Sequence, residues 1–129
     1  MKIEHIAVWT KDLEKLKNFY EKYFGVKSNK KYTNPAKGFS SYFLSFESGA
    51  RLEIMQIANL ENHSSHPEKN YSGLAHFAIS VGSKEKVDKL TSKLQADGYK
   101  VLDGPRTTGD GYYESSVFDP DNNRIEITI

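Results

Sequence analysis

Cysteine is absent from this chain of 129 residues, which excludes structural disulfides, thiolate metal ligands and a cysteine nucleophile. Excess charge of either sign is also missing, because 18 lysines and arginines nearly balance 17 aspartates and glutamates. The chain therefore offers no electrostatic attraction to nucleic acid or to an anionic membrane surface. It contains no apolar run long enough for a membrane span, and we expect no signal peptide because the first residues already form a strand. We expect a cytoplasmic protein with no nucleic-acid partner and no membrane partner.

Two short sequence patterns occur twice, at matching places in the two halves of the chain. HIAV, which begins at His5, corresponds to HFAI, which begins at His76, and RLEI corresponds to RIEI. The offset from His5 to His76 is 71 residues, and the offset from Glu53 to Glu126 is 73 residues. A nearly constant offset is typical of an internal duplication. We predict one domain over residues 1–129, made of module one (1–58), a linker (59–72) and module two (73–129).

Each module is predicted to consist of a strand, a helix and three further strands. The helices are expected at residues 11–24 and 84–97, where apolar side chains recur every three or four positions. Thr10 and Ser83 are the predicted N-caps, and Gly25 and Gly98 are the predicted ends. The later strands are predicted at 26–32, 41–46 and 50–57 in module one, and at 99–102, 112–118 and 124–129 in module two. The fold class that follows is α+β, with two tandem βαβββ modules.

Strand periodicity places the duplicated histidines and glutamates on one face of each sheet. Side chains alternate along a strand, so His5, Ala7 and Trp9 lie opposite Ile6 and Val8. In the same way, Glu53 and Glu126 lie opposite the isoleucines and leucine that flank them. One such histidine or glutamate alone is more typical of a structural or solvated residue. Four metal-competent side chains on the faces away from the helices indicate a divalent-metal site in a concave cup.

The residues also resemble a known superfamily, over nearly the whole chain. HIAVWTKDLEKLKNFYEKYFG, GLAHFAISV and FDPDNNRIEI are similar to the vicinal oxygen chelate superfamily, the glyoxalase/bleomycin resistance/dioxygenase fold. That superfamily includes glyoxalase I, extradiol dioxygenases, fosfomycin-resistance thiol transferases, methylmalonyl-CoA epimerase and metal-free bleomycin-binding proteins. The resemblance implies that the metal ligands are His5, Glu53, His76 and Glu126.

Two histidines with two glutamates look like glyoxalase I of the short bacterial type, the lactoylglutathione lyase-like proteins. The resemblance implies nickel or cobalt, with zinc, manganese or iron as alternatives, and a homodimer. It also implies a lyase or isomerase that acts on a hemithioacetal or an α-hydroxycarbonyl through an enediolate. Glu126 is the first choice for the proton-transfer base, with Glu53 as its symmetric partner. The alternatives are a metal-dependent dioxygenase or thiol transferase of the same superfamily, and a non-catalytic small-molecule-binding protein.

Two positions depart from the glutathione-using members of the superfamily. Those members tend to have arginine at the position of Trp9 and asparagine at the position of Ile57, and both side chains are expected to contact glutathione. The sequence therefore leaves open which thiol and which carbonyl are the substrates and which metal is used in the cell. It also leaves open whether one chain or a dimer closes the cup. The side chains predicted to contact substrate are Trp9, Arg51, Met55, Arg106 and Tyr112.

Two further patterns resemble metal sites but have simpler explanations. His63 and His66 lie in the polar linker beside a proline, where solvated histidines are the more common finding. Asp119 and Asp121 resemble part of a cation-binding loop, but the later ligands of an EF-hand do not follow. We predict a turn at this second pattern.

Overall fold

The structure is a computed structural model that describes residues 1–61 and 66–129. The chain divides into two compact units, Met1–His63 and Ser64–Ile129. Each unit contains one α-helix and one mixed sheet, which is the expected α+β class. No helix in the described ranges is long and apolar enough to cross a bilayer.

The first unit contains a five-stranded sheet. Its elements are β1 (His5–Trp9), α1 (Leu13–Phe24), β2 (Lys27–Ser28), β3 (Tyr32–Asn34), a short 3₁₀ helix (Pro35–Lys37), β4 (Phe39–Ser45) and β5 (Arg51–Ile57). The strand order is β1-β5-β4-β2, and β3 also pairs with β4. The pair β1 and β5 is parallel, and the other pairs are antiparallel.

One continuous strand over 26–32 was the wrong expectation, because β2 and β3 are separate. Asn29 lies between them, and its side-chain oxygen accepts a hydrogen bond from the backbone N–H of Phe43 at 2.8 Å. The backbone N–H of Asn29 donates in turn to the carbonyl of Phe43 at 3.0 Å. A side chain thus takes the place of a backbone acceptor, and the regular ladder stops there.

The first helix begins two residues later than the apolar periodicity predicts. Its N-cap is Asp12, whose carboxylate accepts a hydrogen bond from the backbone N–H of Lys15 at 3.0 Å. Thr10 is not the cap, since its buried hydroxyl accepts instead from the backbone N–H of Asp12. The predicted end at Gly25 is confirmed, with a left-handed φ of 64°. The helix buries one face, which consists of Leu13, Leu16, Phe19, Tyr20 and Tyr23.

The second unit has the predicted βαβββ order. Its elements are β6 (Phe77–Ser80), α2 (Lys84–Ala96), β7 (Val101–Thr107), β8 (Tyr113–Phe118) and β9 (Arg124–Thr128). The strand order is β6-β9-β8-β7, with β6 and β9 parallel. Ser83 caps α2 as predicted, by accepting from the backbone N–H of Lys86. The strand predicted at 99–102 has the wrong bounds, since β7 continues to Thr107 through an irregular register with β8.

Burial confirms the predicted division of the sheet faces. Leu52 and Ile54, on either side of Glu53, are at most 2% exposed, and Ile125 and Ile127 are fully buried. Val8 and Ile79 are buried on the first strand of each unit. The large aliphatic side chains therefore form the core, and the duplicated polar residues lie on the opposite face of each sheet.

Candidate functional site

In the first unit, the parallel pairing of β1 and β5 brings His5 and Glu53 together. His5 is opposite Arg51 in the register, and Ala7 is opposite Glu53. Nε2 of His5 lies 3.8 Å from Oε2 of Glu53, which is beyond hydrogen-bond distance. The Glu53 side chain is 15% exposed and the His5 side chain is 40% exposed. The pair is thus accessible from one side and held by adjacent strands.

The second unit repeats this pairing more tightly. His76 directly precedes β6, and Glu126 lies on β9 opposite Ala78. Nε2 of His76 lies 3.0 Å from Oε2 of Glu126, which is hydrogen-bond distance. The accessibility is similar to that of the first pair, with 38% for the histidine side chain and 20% for the glutamate side chain. Each unit therefore brings one of the duplicated histidines close to one of the duplicated glutamates.

Within residues 1–61 and 66–129, no three or more histidine, aspartate or glutamate side chains cluster as a group that could hold a metal ion. Each unit instead supplies one imidazole nitrogen and one carboxylate oxygen that face each other. Imidazole and carboxylate donors suit nickel, cobalt, zinc, manganese or iron. The donor chemistry of the two pairs therefore fits a divalent metal.

Glu4 is a contact of the site that sequence reasoning missed. Its Oε2 lies 2.6 Å from Nδ1 of His5, the ring nitrogen that faces away from Glu53. Its other oxygen accepts a hydrogen bond from the guanidinium of Arg51. These hydrogen bonds hold the pKa of Glu4 below its usual value, and the one with His5 has the larger effect. The duplication gives no signal for Glu4, since the residue before His76 is Ala75.

The two arginines predicted to contact substrate, Arg51 and Arg106, have carboxylate partners in the structure. Arg51 binds Glu4 and lies 4.1 Å over the ring centroid of Phe43. Arg106 donates from Nε to Asp103 at 2.7 Å, and this contact raises the pKa of Arg106. An anionic substrate group would have to compete with these carboxylates. Both arginines organise neighbouring side chains, and their contact with substrate stays a prediction.

Arg124 is the counterpart of Arg51 in the second unit, but it has different partners. Its guanidinium donates to the side chain of Asn70 at 3.3 Å and to the carbonyl of Glu68 at 3.4 Å. It therefore connects β9 to the segment that precedes β6. The two units thus use their duplicated arginines differently.

An aromatic surface surrounds Trp9 in the first unit. Trp9 is 45% exposed and contacts Phe39 edge to face, with ring centroids 6.3 Å apart. Tyr32 is 53% exposed and contacts the same phenylalanine at 6.1 Å. Met55 is opposite Trp9 in the strand register, and Ile57 is opposite Phe39. Sequence reasoning named Trp9, Met55 and Ile57 but missed Phe39 and Tyr32, which only the pairing of β4 with β3 and β5 brings close.

In the second unit, the loop at 108–112 between β7 and β8 holds Tyr112 in an exposed position. Tyr112 is 57% exposed, and its backbone N–H and carbonyl both bond to Thr108. The loop therefore has its own internal hydrogen bonds. Tyr112 stays a prediction as a substrate contact.

Glu114 is a third carboxylate of the second unit that the sequence did not single out. It lies on β8 opposite Thr128, on the face that carries Glu126. Burial raises the pKa of Glu114, and the charge of Glu126 raises it further, whereas Arg106 and His76 act in the other direction. The matching position of the first unit is occupied by Ser41, which is opposite Met55. The duplication therefore gives no signal for Glu114.

The structure describes part of the two patterns that resembled metal sites, the histidines of the linker and the aspartates at 119 and 121. His63 lies outside the described residues, and His66 is exposed. Asp119 is 3% exposed and accepts hydrogen bonds from the backbone N–H groups of Asp121 and Asn123, each at 2.9 Å. Its second oxygen accepts from the side chain of Asn123. The predicted turn is confirmed, with Asp119 as its internal acceptor.

Three curated relatives resemble the chain over most of its length. An uncharacterized protein of Bacillus subtilis, YqjT, is 30% identical over 97% of this chain and 96% of its own. A probable trivalent organoarsenical cleaving enzyme of the same species is 32% identical over 98% of this chain and 78% of its own. A lactoylglutathione lyase of Arabidopsis thaliana is 29% identical over 95% of this chain, which spans 42% of that protein.

The fold also matches solved structures. The trypanothione-dependent glyoxalase I of Leishmania major superposes with a TM-score of 0.78 at 21% identity, over 99% of this chain and 86% of that one. At this identity the likeness shows the fold alone, and it confirms the expected βαβββ modules. The family model described as Glyoxalase/Bleomycin resistance protein/Dioxygenase superfamily matches residues 2–127. The chain therefore belongs to the Glyoxalase/Bleomycin resistance protein/Dioxygenase superfamily, as its motifs implied.

Proposed function

We propose that this protein is a metal-dependent, glyoxalase I-like lyase or isomerase that acts on a hemithioacetal or an α-hydroxycarbonyl. The observation that carries the proposal is the pair of facing histidine and glutamate side chains in each unit. Membership of the superfamily supports it, since the relatives named above include a lactoylglutathione lyase. A cytoplasmic homodimer remains part of the proposal.

His5, Glu53, His76 and Glu126 are the proposed donors to a divalent ion, with nickel or cobalt favoured. When bound, such an ion would polarise a carbonyl oxygen and acidify the adjacent C–H bond. The glutamates lie on faces opposite the buried core, where they are reachable by a small molecule.

Glu126 is the proposed base, which takes a proton from one carbon and returns it to the neighbouring carbon. Its carboxylate contacts Nε2 of His76 and shares a sheet face with Glu114. Glu53 has a histidine partner at the longer distance of 3.8 Å, and Ser41 stands at the place of Glu114. The two glutamates thus have different surroundings, which supports unequal roles.

The thiol that this site would use differs, we propose, from glutathione. Trp9 and Ile57 replace the side chains that glutathione-using members tend to have, and Arg51 is already bound to Glu4. The exposed rings of Trp9 and Tyr32 suit an apolar substituent near the first unit. Activity with the glutathione hemithioacetal of methylglyoxal is therefore expected to be weak.

Cleavage of trivalent organoarsenicals is the second candidate, because a relative with that name is 32% identical over nearly the whole chain. Soft centres, such as trivalent arsenic, prefer thiolate ligands, and this chain contains no cysteine that could supply one. The donor set therefore favours the lyase reaction. An assay of a trivalent organoarsenical belongs in the same panel, and its turnover in place of the carbonyl substrates would reverse the choice.

The test combines metal analysis with a substrate panel. Purified wild type should contain a divalent metal, and His76→Ala should contain less and unfold at a lower temperature, because an ion that binds only the folded state stabilises it. The panel comprises hemithioacetals of several thiols and free α-hydroxycarbonyls, each with nickel- or cobalt-loaded protein. Equal metal content in wild type and His76→Ala would remove the metal assignment, and no turnover of any substrate would leave a binding role.

Glu126→Gln tests the base. The change keeps the size and an oxygen donor but removes the basic carboxylate, so turnover should fall by about 100-fold or more. Glu53→Gln is the matched variant in the first unit and should be less damaging. If Glu126→Gln turns over substrate as fast as wild type, the base is wrongly assigned.

A further inference from the structure

We propose that Glu4 is a positioning residue that fixes the ring of His5 with its Nε2 lone pair free to bind metal. The proposal rests on the metal-dependent function above and adds that the two histidine donors are unequal. His5 is supported by a carboxylate from behind, and His76 has an alanine at the corresponding place. Glu4 would act through His5 and would not touch the substrate.

The contact between Glu4 and His5 determines which ring nitrogen carries the proton. Oε2 of Glu4 lies 2.6 Å from Nδ1 of His5, and an ionised carboxylate can only accept a hydrogen bond. The proton of a neutral ring therefore belongs on Nδ1, which leaves the lone pair on Nε2. Nε2 is the atom that faces Glu53. The free lone pair is thus directed towards Glu53, the proposed metal donor of the same unit.

Glu4 is itself held in place by two hydrogen bonds from Arg51, the first residue of β5. The backbone N–H of Arg51 donates to the carbonyl of Glu4 at 3.0 Å, and the Arg51 guanidinium binds the Glu4 carboxylate. Phe43 supports both partners, because it lies under the guanidinium and contacts the His5 ring edge to face at 5.4 Å. The His5 ring is therefore constrained by a carboxylate at one edge and by an aromatic ring beside it.

The second unit has replaced this arrangement. Ala75 precedes His76 and has no side-chain acceptor, and Arg124 is directed to Asn70 and the Glu68 carbonyl. His76 instead has the closer contact with its own glutamate. The duplication therefore kept the donors but not the residue that orients the first of them.

Removing a partner that orients a metal-binding histidine typically weakens metal affinity by about 10- to 100-fold. Glu4→Ala should show a loss of this size for nickel or cobalt, measured by competition with a chelator. Glu4→Gln should lose less, because its amide oxygen can still accept from Nδ1 of His5. Glu47→Ala, which removes an exposed carboxylate from the turn between β4 and β5, is the control and should bind metal as wild type does.

A second measurement does not depend on metal or on activity. In metal-free protein, ¹⁵N-detected NMR of the histidine rings should show His5 with its proton on Nδ1, and Glu4→Ala should show a mixture of the two tautomers. Thermal unfolding of the metal-free variants verifies that they are folded. A His5 ring protonated on Nε2 in wild type would overturn the proposal, as would equal metal affinities for Glu4→Ala and Glu47→Ala.

The failure of this inference can be distinguished from the failure of the proposed function. If His5→Ala and His76→Ala lose metal while Glu4→Ala does not, the metal assignment stands and the positioning role is refuted. If neither histidine variant loses metal, the proposed function fails. In that case the tautomer measurement still decides whether Glu4 fixes the His5 ring.

Discussion

Replacing Gly104 by alanine tests how closely β7 lies against β8, the strand that carries Glu114. A Cβ atom at Gly104 would lie 2.5 Å from the backbone oxygen of Glu114 and 2.9 Å from the Cα of Ser115. Both contacts involve backbone, which cannot rotate away as a side-chain end can. Gly104 also has a φ of +78°, a left-handed conformation that alanine rarely adopts.

The magnitude follows from these two effects. The left-handed conformation costs a residue with a Cβ roughly 1–2 kcal/mol, and forcing an extra methyl into packed structure typically costs about 1–3 kcal/mol. Together they lower the free energy of unfolding by about 2–5 kcal/mol. For 129 residues the entropy of unfolding is roughly 0.27 kcal/mol/K, so Tm should fall by about 7–18 °C.

Gly25→Ala separates the two effects. Gly25 has a similar φ of +64°, but a Cβ there has no heavy atom of the described chain within 4 Å beyond its own neighbours. This variant should lose only the conformational part, roughly 1–2 kcal/mol. Urea unfolding followed by circular dichroism measures both variants. Equal losses for Gly104→Ala and Gly25→Ala would refute the close approach of the two strands.

Two further predictions concern acid stability and assembly. Hydrogen bonds from Lys17, Lys31 and Tyr42 lower the pKa of Glu14 from 4.5 to about 2. The ionised Glu14 carboxylate therefore stabilises the fold above about pH 4.5, and this contribution is lost as the pH falls towards 2. Because Glu14 is half exposed, Glu14→Gln should cost at most about 1 kcal/mol at pH 7 and less at pH 2; an equal cost in urea unfolding at both pH values would contradict this. A homodimer should scatter light at micromolar concentration with twice the chain mass of 14.7 kDa, and a mass of 14.7 kDa would refute it.

Local patterns were sufficient for the repeated architecture. The period of two along the strands placed Glu53 and Glu126 opposite buried aliphatic residues, and the helical period placed the buried face of α1 correctly. Such patterns are visible in sequence because each depends on neighbours within a few residues. The four proposed metal donors were found because they occur twice, and their common role stays a prediction.

Errors arose where a side chain competed with a regular pattern. Thr10 and Asp12 are both good N-caps, and the hydrogen bond from Asp12 N–H to the Thr10 hydroxyl decided between them. The Asn29 side chain interrupted the strand predicted over 26–32. The prediction for β7 ended at residue 102, although pairing with β8 carries that strand to Thr107. In each case a specific hydrogen bond or a strand partner outweighed a weak local preference.

The sequence by itself determined the duplicated modules, the faces of their strands and the chemistry of the proposed donors. The tertiary structure alone decided which charges meet. Glu4 and Arg51 are 47 residues apart, and the parallel pairing of β1 with β5 brings them together. The same pairing directs Arg51 to a carboxylate. In the second unit, β8 and β9 place Glu114 near Glu126. Contacts of this kind depend on strand register, which is set by the packing of the whole sheet.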